Sequence, residues 1–282
     1  MTLFETLARA RARLTEAGIP EAEALIDVDL YARTILGWDK ARLLVEMQDP
    51  APRALEPTLS NWTSRRVERE PTAYIVGRRE FWGLDFTVSP SVLIPRPETE
   101  QLVDETLSRV GRLSASRIAD IGTGSGCIAI ALAVERPHAQ LVATDVSEQA
   151  LAIARVNAER HGVSGRVRFV ATSYLDGIDE SFDVITANPP YVKDGDKPGL
   201  APGVRHEPEV ALFGGAEGLR DIAGVLRAAS ATLAPGGWLM MEFGYGQEPE
   251  VEALVAAQPS LRLDRVQCDL QGIPRTAIIQ RR

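Results

Sequence analysis

Cysteine and histidine are scarce in this sequence of 282 residues, which contains two cysteines, Cys127 and Cys268, and three histidines. Residues so few and so widely separated provide neither a disulfide framework nor the ligand spacing of a zinc site, so we expect no metal. Long apolar runs are also missing, and residues 1–5 do not begin a basic segment followed by an apolar one. We therefore expect a cytoplasmic protein that does not associate with a membrane.

An excess of basic residues is missing as well. The sequence has 31 Lys and Arg against 39 Asp and Glu, which gives a formal net charge of −8. Proteins that bind nucleic acids usually present a basic face, because neutralising the phosphates supplies much of the affinity. The charge balance therefore disfavours a DNA or naked RNA substrate and leaves room for a protein substrate.

The first 70 residues have the pattern of amphipathic helices. Thr2 and Glu5 have the spacing of a capping box, and further helices are predicted over residues 21–36 and 53–70, the last closed by Pro71. Helices of this length bury little area on their own. Two interpretations stay open for this part of the chain: a structural cap on a larger domain, or a docking surface for a macromolecular substrate.

A different pattern starts after residue 71. Phe81 and Trp82 stand among apolar residues around Gly83, which predicts a short β-hairpin that links two domains. A helix is predicted from Thr99 to Val110, and beyond it apolar strands alternate with helices. This alternation predicts an α/β fold with a parallel sheet covered on both faces. The predicted strands cover residues 117–121, 140–144, 166–170, 182–186, 237–243, 261–267 and 277–280, with helices at 126–136, 147–161, 218–233 and 248–257.

A glycine-rich turn follows the first of these strands. Gly122, Gly124 and Gly126 form a G-x-G-x-G pattern between a strand and a helix, and Asp145 ends the next strand. Such glycines let the backbone approach a ligand closely, and a carboxylate at that position can bind a ribose. A dinucleotide is the alternative ligand, but the third glycine comes one residue early and Asp120 would lie beside a pyrophosphate. A sulfonium with an ammonium group would favour nearby oxygens, which points to S-adenosylmethionine.

The sequence Asn188-Pro189-Pro190-Tyr191 follows the strand predicted at 182–186. Open α/β sheets bind ligands at the carboxyl ends of their strands, and the prolines fix the main chain there. An amide or aniline-like nitrogen is a poor nucleophile because its lone pair is delocalised. The Asn188 side-chain oxygen and the Pro189 carbonyl can accept hydrogen bonds from both N–H groups of an NH₂ group. These bonds would aim the nitrogen lone pair at the methyl carbon and stabilise the positive charge that develops on the nitrogen. Tyr191 can stack on a planar acceptor or exclude solvent.

With these residues in place, the chain resembles the peptide chain release factor glutamine N5-methyltransferases of the class I methyltransferase superfamily. The segment Pro95-Arg96-Pro97-Glu98-Thr99-Glu100 is the discriminating one. Asn-Pro-Pro-Tyr alone is shared with DNA adenine and guanine-directed RNA methyltransferases, so a nucleic-acid amino methyltransferase is the alternative function. A catalytically silent binding module is a further alternative, which the intact Asn188 and glycine loop argue against. The resemblance extends over residues 74–77, 80–82, 94–100, 120–126, 188–191, 207–208, 214–219 and 272–275.

The resemblance implies a doubly wound, Rossmann-like sheet of seven strands, the last one antiparallel, with a small helical N-terminal domain. The expected parts are a helical substrate-docking domain at 1–72, a hairpin linker at 73–95 and an S-adenosylmethionine-dependent methyltransferase domain at 96–282. The implied substrate is the glutamine of the Gly-Gly-Gln motif in class 1 release factors, with no direct nucleic-acid substrate, and we expect a monomer.

The resemblance also assigns roles to individual residues. Asp145 holds the ribose hydroxyls, and Tyr174 lies near the adenine. Arg96 and Glu207 are expected at the substrate. The residues expected to line the cofactor are Gly122, Thr123, Gly124, Ser125, Gly126 and Asn188. Those expected to bind the glutamine are Asn188, Pro189, Pro190 and Tyr191. Of these, the expected catalytic residues are Asn188, Pro189 and Tyr191.

Overall fold

The structure is a computed structural model that describes residues 1–111 and 115–282. These residues form two compact units. The first comprises Met1–Gly77 together with Ala201–His206, and the second comprises Arg78–Leu200 together with Glu207–Arg282. The hairpin predicted as a linker thus falls within the second unit. None of the helices in the described ranges is both long and apolar enough to cross a membrane.

The first unit is helical, as predicted. Its first helix begins with the expected capping box, in which the Thr2 hydroxyl accepts from the Glu5 N–H and the Glu5 carboxylate accepts from the Thr2 N–H. Two short helices were not predicted, because six and five residues are too few to show helical periodicity. The helices are α1 (Leu3–Glu16), α2 (Glu21–Leu36), α3 (Lys40–Val45), α4 (Leu55–Val67) and α5 (Thr72–Val76).

A partly buried polar network connects three of these helices. Asp27 on α2 accepts hydrogen bonds from Arg66 Nε on α4 and from Thr72 Oγ1 on α5, both at 2.7 Å. Tyr31 OH lies 3.1 Å from the same threonine hydroxyl. Because both carboxylate oxygens have donors, the charge of Asp27 is compensated within the unit.

The second unit contains the sheet and its helices. A two-stranded hairpin, β1 (Arg78–Phe81) and β2 (Leu84–Thr87), precedes the sheet. The sheet strands are β3 (Arg117–Ile121), β4 (Gln140–Asp145), β5 (Val167–Ala171), β6 (Phe182–Ala187), β7 (Leu233–Glu242), β8 (Leu261–Cys268) and β9 (Pro274–Arg281). The helices are α6 (Glu100–Arg109), α7 (Cys127–Glu135), α8 (Glu148–Arg160), α9 (Arg220–Thr232) and α10 (Glu248–Ala256).

The seven-stranded sheet has the order β5-β4-β3-β6-β7-β9-β8. The pairs from β5 through β7 are parallel, whereas β9 lies antiparallel between β7 and β8. Two separate apolar cores cover the sheet, one centred on α7 and the other on α9 and α10. The predicted doubly wound, Rossmann-like fold with an antiparallel last strand is therefore confirmed.

The strand order reverses between β3 and β6. After β3 the chain builds outward through β4 and β5, and it then returns to place β6 on the other side of β3. At such a switch point the loops leaving neighbouring strands diverge and open a crevice at the carboxyl ends. The glycine loop after β3 and the Asn-Pro-Pro-Tyr segment after β6 border this crevice.

Candidate functional site

A cavity of about 240 Å³ lies within the second unit at the carboxyl ends of the parallel strands. The segments that follow β3, β4, β5 and β6 all contribute to its wall. Of the residues that the sequence predicted for the site, the lining includes Gly122, Thr123, Gly124, Ser125, Asp145, Tyr174, Asn188, Pro189, Pro190 and Arg96. Gly126, Tyr191 and Glu207 are not among the lining residues.

The glycines of the loop have different surroundings. Gly122, Gly124 and Gly126 all have positive φ, at 71°, 56° and 82°. A Cβ at Gly122 or Gly124 would meet nothing within 4 Å, so the backbone there is open to a ligand. At Gly126 a Cβ would lie 2.8 Å from Ile130 Cδ1 and 3.1 Å from Ala154 Cβ. The structure thus places Gly126 against helix α8 instead of in the cavity wall, because α7 and α8 pack closely at this point.

Asp120 supports the glycine loop from inside the protein. Its carboxylate is fully buried and accepts hydrogen bonds from Thr123 Oγ1 at 2.6 Å and from Thr186 Oγ1 at 2.8 Å. Burial raises the pKa of Asp120 to about 6, although both hydroxyl donors act in the opposite direction. The carboxylate therefore connects the loop to β6 and does not line the cavity. The sequence, in contrast, suggested that it would attract a cationic ligand.

Asp145 faces the cavity with both oxygens held in place. Oδ2 accepts from the Gly124 N–H and Oδ1 from the Ser147 N–H, each at 2.9 Å. Burial raises the pKa of Asp145, and these backbone N–H groups oppose the rise. Each oxygen has a second lone pair, so the fixed carboxylate can accept two further hydrogen bonds from a vicinal diol.

Tyr174 forms an aromatic part of the wall in a left-handed backbone conformation, with φ of 50°. Thr144 Oγ1 donates to its carbonyl at 2.6 Å, and its own hydroxyl donates to Asp221 Oδ1 at 2.9 Å. Its ring lies directly over Gly224 on α9, where any Cβ would overlap the ring. These contacts fix the ring plane, which suits it to stack on a flat heterocycle.

The backbone of the Asn-Pro-Pro-Tyr segment is held from behind by glycines. A Cβ at Gly214 would lie 2.5 Å from the Pro190 carbonyl oxygen, and a Cβ at Gly218 would overlap the Tyr191 carbonyl. Gln247 Nε2 also donates to the Tyr191 carbonyl at 3.1 Å. Segment 214–218 can therefore approach the main chain of residues 190–191 only because it lacks side chains at these two positions.

Tyr191, which the sequence predicted to stack on a planar acceptor or to exclude solvent, lies outside the lining of the cavity. Its ring packs against the core that contains α9 and α10, and its hydroxyl donates to Glu242 Oε1 at 3.1 Å. Burial raises the pKa of Tyr191, and the charge of Glu242 raises it further. In this structure Tyr191 anchors the end of the segment, because a buried carboxylate on β7 offers its hydroxyl a strong acceptor.

Arg96 and Glu207 contact each other. Arg96 Nη2 donates to Glu207 Oε1 at 2.5 Å, and Glu207 Oε2 accepts from the Ile94 N–H at 3.1 Å. Glu207 is buried, whereas the Arg96 side chain is 32% exposed and lines the cavity. Glu207 thus lies behind the cavity wall and joins segment 94–96 to the loop around Pro208. The sequence, in contrast, suggested that Glu207 touches the substrate.

Three buried residues that support the site, Thr99, Glu242 and Asn157, were not among the site residues predicted from the sequence. Asn188 Nδ2 donates to Thr99 Oγ1 at 3.0 Å, and Thr99 Oγ1 donates to Glu242 Oε2 at 2.7 Å. Asn157 Nδ2 donates to the Ser125 carbonyl at 2.9 Å and so supports the glycine loop. Asn157 had a detectable signal in the sequence, namely a polar residue on the otherwise apolar face of α8. Thr99 stands in segment 95–100, which carries the family resemblance, but nothing in the sequence indicated its hydrogen bonds.

The remaining reactive groups near the cavity do not indicate other chemistry. Cys127 lines the cavity, and burial raises the pKa of its thiol to about 12, so it is protonated at neutral pH. Across residues 1–111 and 115–282, no group of three or more His, Cys, Asp and Glu side chains is arranged to hold a metal ion. The cavity is thus built from a backbone cradle, a fixed carboxylate, an aromatic ring and a carboxamide.

Comparison with known proteins agrees with this arrangement. A family model described as "Methyltransferase small domain" matches residues 99–201, and one described as "PrmC N-terminal domain" matches residues 5–77. The crystal structure of a ribosomal protein L11 methylase from Lactobacillus delbrueckii subsp. bulgaricus superposes with a TM-score of 0.51 at 23% identity, covering 69% of this chain and 84% of that one. This likeness supports the fold.

Curated relatives match over nearly the whole chain. The release factor glutamine methyltransferase of Geobacter sulfurreducens is 42% identical over 252 residues, which cover 89% of this chain and 87% of the relative. The protein of the same name from Moorella thermoacetica is 37% identical and covers 100% of this chain and 99% of its own length. Both the helical and the catalytic parts are included in these matches. The chain therefore belongs to the release factor glutamine methyltransferase family.

Proposed function

We propose that the protein transfers the methyl group of S-adenosylmethionine to the side-chain amide nitrogen, N5, of the glutamine in the Gly-Gly-Gln motif of class 1 peptide chain release factors. The observation that carries this proposal is the near full-length similarity to enzymes with that name, together with Asn188 in the wall of the cavity. The alternative, methylation of a nucleic-acid amino group, is disfavoured by the same relatives and by the net charge of −8.

The residues of the cavity fit S-adenosylmethionine. The open backbone at Gly122 and Gly124 would accommodate the methionine part, Asp145 would accept hydrogen bonds from the ribose hydroxyls, and Tyr174 would lie against the adenine. The fit rests on chemical complementarity: a carboxylate with free lone pairs suits a diol, and a fixed ring suits a base. When bound, S-adenosylmethionine supplies an electrophilic methyl carbon.

Asn188 and Pro189 would orient the acceptor nitrogen. The Asn188 carboxamide directs its NH₂ end to Thr99 Oγ1, and among the described residues no donor is found for Oδ1. Oδ1 and the Pro189 carbonyl can therefore each accept a hydrogen bond from one of the two N–H groups of the glutamine amide. These two acceptors aim the nitrogen lone pair and stabilise positive charge that develops as the N–C bond forms. No general base is needed before transfer, because the N–H proton becomes acidic only during that step and is lost afterwards.

Each part of the chain would have a separate role. Residues 1–72 would dock the release factor, residues 73–95 would link the parts, and residues 96–282 would hold the cofactor and the glutamine. The separate family match over residues 5–77 supports a distinct role for the helical part. We propose that the protein acts as a cytoplasmic monomer.

A labelled methyl-transfer assay tests the function. Purified protein is incubated with methyl-labelled S-adenosylmethionine and a purified class 1 release factor, and the labelled peptide is identified by mass spectrometry. We expect one added methylene unit on the Gly-Gly-Gln peptide and no label on a release factor in which that glutamine is replaced by alanine. Label found only in nucleic acid, when a cell lysate is the substrate, would refute the proposal.

A further inference from the structure

A continuous chain of hydrogen bonds runs behind Asn188. Asn188 Nδ2 donates to Thr99 Oγ1 at 3.0 Å, Thr99 Oγ1 donates to Glu242 Oε2 at 2.7 Å, and Tyr191 OH donates to Glu242 Oε1 at 3.1 Å. The residues come from different elements, since Thr99 immediately precedes α6 and Glu242 ends β7. Thr99 and Glu242 are almost completely buried, at 3% and 2% exposed. Little of either side chain is therefore accessible to water, although Thr99 also contributes to the lining of the cavity.

We propose that Glu242 and Thr99 are positioning residues that determine which end of the Asn188 carboxamide faces the cavity. The inference rests on the proposed function, because it explains how the acceptor oxygen for the glutamine amide is presented. Neither residue needs to touch the substrate or the cofactor for this role.

The direction of the chain follows from which atoms can donate. An ionised carboxylate only accepts hydrogen bonds, so the single proton of the Thr99 hydroxyl is committed to Glu242. The Thr99 oxygen can then only accept from its other neighbour. Asn188 must offer it the NH₂ end, which leaves Oδ1 for the glutamine.

Two hydroxyl groups, those of Thr99 and Tyr191, donate to the two oxygens of Glu242, which is the arrangement that a carboxylate accepts. Burial raises the pKa of this carboxyl group, and the two hydroxyls and the charge of Arg275 oppose the rise. An ionised acceptor also makes stronger hydrogen bonds than a neutral one. The carboxylate thus fixes the direction of every donor in the chain.

The opposite orientation of the carboxamide would be unproductive. The two ends of an asparagine side chain have nearly the same shape, so packing alone does not choose between them. With NH₂ toward the cavity, Asn188 would present a donor to the NH₂ group of the glutamine, and the lone pair would not be aimed. Loss of the relay should therefore slow methyl transfer without weakening the binding of S-adenosylmethionine.

Substitutions at Thr99 and Glu242 test the relay. Thr99→Val and Glu242→Gln keep the shape of each side chain, but the first removes the hydroxyl and the second lets the carboxamide end of Gln donate to Thr99. Both should lower kcat for methylation of a purified class 1 release factor at least about tenfold, with KM and the Kd of S-adenosylmethionine unchanged. Thr99→Ser keeps the hydroxyl and should stay within about threefold of wild type.

Thr106→Val is the matched control. Thr106 is a fully buried threonine on α6, the helix that Thr99 precedes, and its hydroxyl donates to the Leu102 carbonyl at 2.7 Å, away from the cavity. This variant should leave kcat unchanged. Equal kcat for Thr99→Val and wild type would overturn the proposal, and so would equal losses in Thr99→Ser and Thr99→Val, since bulk and not the hydroxyl would then be decisive.

A measurement without activity separates this inference from the proposed function. The side-chain ¹⁵NH₂ signal of Asn188, assigned through Asn188→Asp, should show one hydrogen-bonded proton protected from exchange, and Thr99→Val should abolish that protection. Identical signals in both proteins would overturn the relay. If wild type methylates no release factor while the protected proton is present, the proposed function fails and the orientation of Asn188 stands.

Discussion

Replacing Asp145 with alanine is expected to weaken the binding of S-adenosylmethionine by a large factor. Its two oxygens are fixed by the backbone N–H groups of Gly124 and Ser147, which leaves one lone pair on each for a ribose hydroxyl. A hydrogen bond to a charged group contributes about 1.5–3 kcal/mol net. Losing the equivalent of one such bond corresponds to a rise in Kd of about 10- to 150-fold.

Isothermal titration calorimetry of S-adenosylmethionine with wild type, Asp145→Ala and Asp145→Asn measures this effect. The asparagine variant is nearly isosteric, but its NH₂ group would face one of the two backbone N–H donors, so it should not restore the affinity. Glu148→Ala is the matched control, because it removes the same charge three residues away on a side chain that is 71% exposed and outside the cavity wall.

The result that would refute the reasoning is a Kd for Asp145→Ala equal to that of Glu148→Ala. Asp145 would then serve only to close the turn between Gly124 and Ser147. The ribose would have to be held by other groups of the cavity. Circular dichroism of both variants should match wild type, so that a misfolded site does not imitate a lost hydrogen bond.

Two further substitutions test the supports of the site. Gly214→Ala should push the Pro190 carbonyl out of place and lower the rate of methyl transfer at least about tenfold. Gly199→Ala is the control, because a Cβ there meets nothing within 4 Å, and it should match wild type in the same assay. Equal rates for the two variants would contradict the close approach of Gly214 to the Pro190 carbonyl. Burial raises the pKa of Asp120 to about 6, whereas an Asp in the unfolded chain titrates at about 3.9. Between these two pH values the folded protein holds a proton that the unfolded chain has lost, and the stability that this proton preserves is lost as the pH rises through about 6. When the pH is lowered from about 7 to about 4.5, urea unfolding should therefore show the free energy of unfolding of wild type rising by on the order of 2 kcal/mol relative to that of Asp120→Asn. A difference between the two proteins that does not vary with pH would contradict the raised pKa.

The sequence predicted those elements whose pattern is local. Helix α2 was placed at residues 21–36 because an apolar face runs up to Gly37, which adopts the left-handed conformation that ends the helix. Strand β7 begins at Leu233 instead of 237, since a register shift lets it pair with Phe182 across the intervening glycines. Such irregular pairing depends on the neighbouring strand and leaves no periodic signal.

The site was predictable as far as its motifs lie at carboxyl ends of strands. The direction of each side chain was not. Gly124 and Gly126 belong to the same motif, but Gly124 lines the cavity whereas Gly126 packs against Ile130 on α7 and Ala154 on α8. Likewise, Thr99 and Glu242 are 143 residues apart in the chain, and their hydrogen bond exists only because the fold brings α6 to the end of β7.

The rate of methyl transfer by Asn188→Ala tests most directly whether this carboxamide orients the acceptor nitrogen. The measurement is a single turnover with purified class 1 release factor and saturating S-adenosylmethionine, so that a change in cofactor affinity does not enter the rate. Removing a fixed group that stabilises developing charge typically costs about 100- to 1,000-fold, and we predict a loss in that range. A loss of less than about tenfold would contradict the role of Asn188.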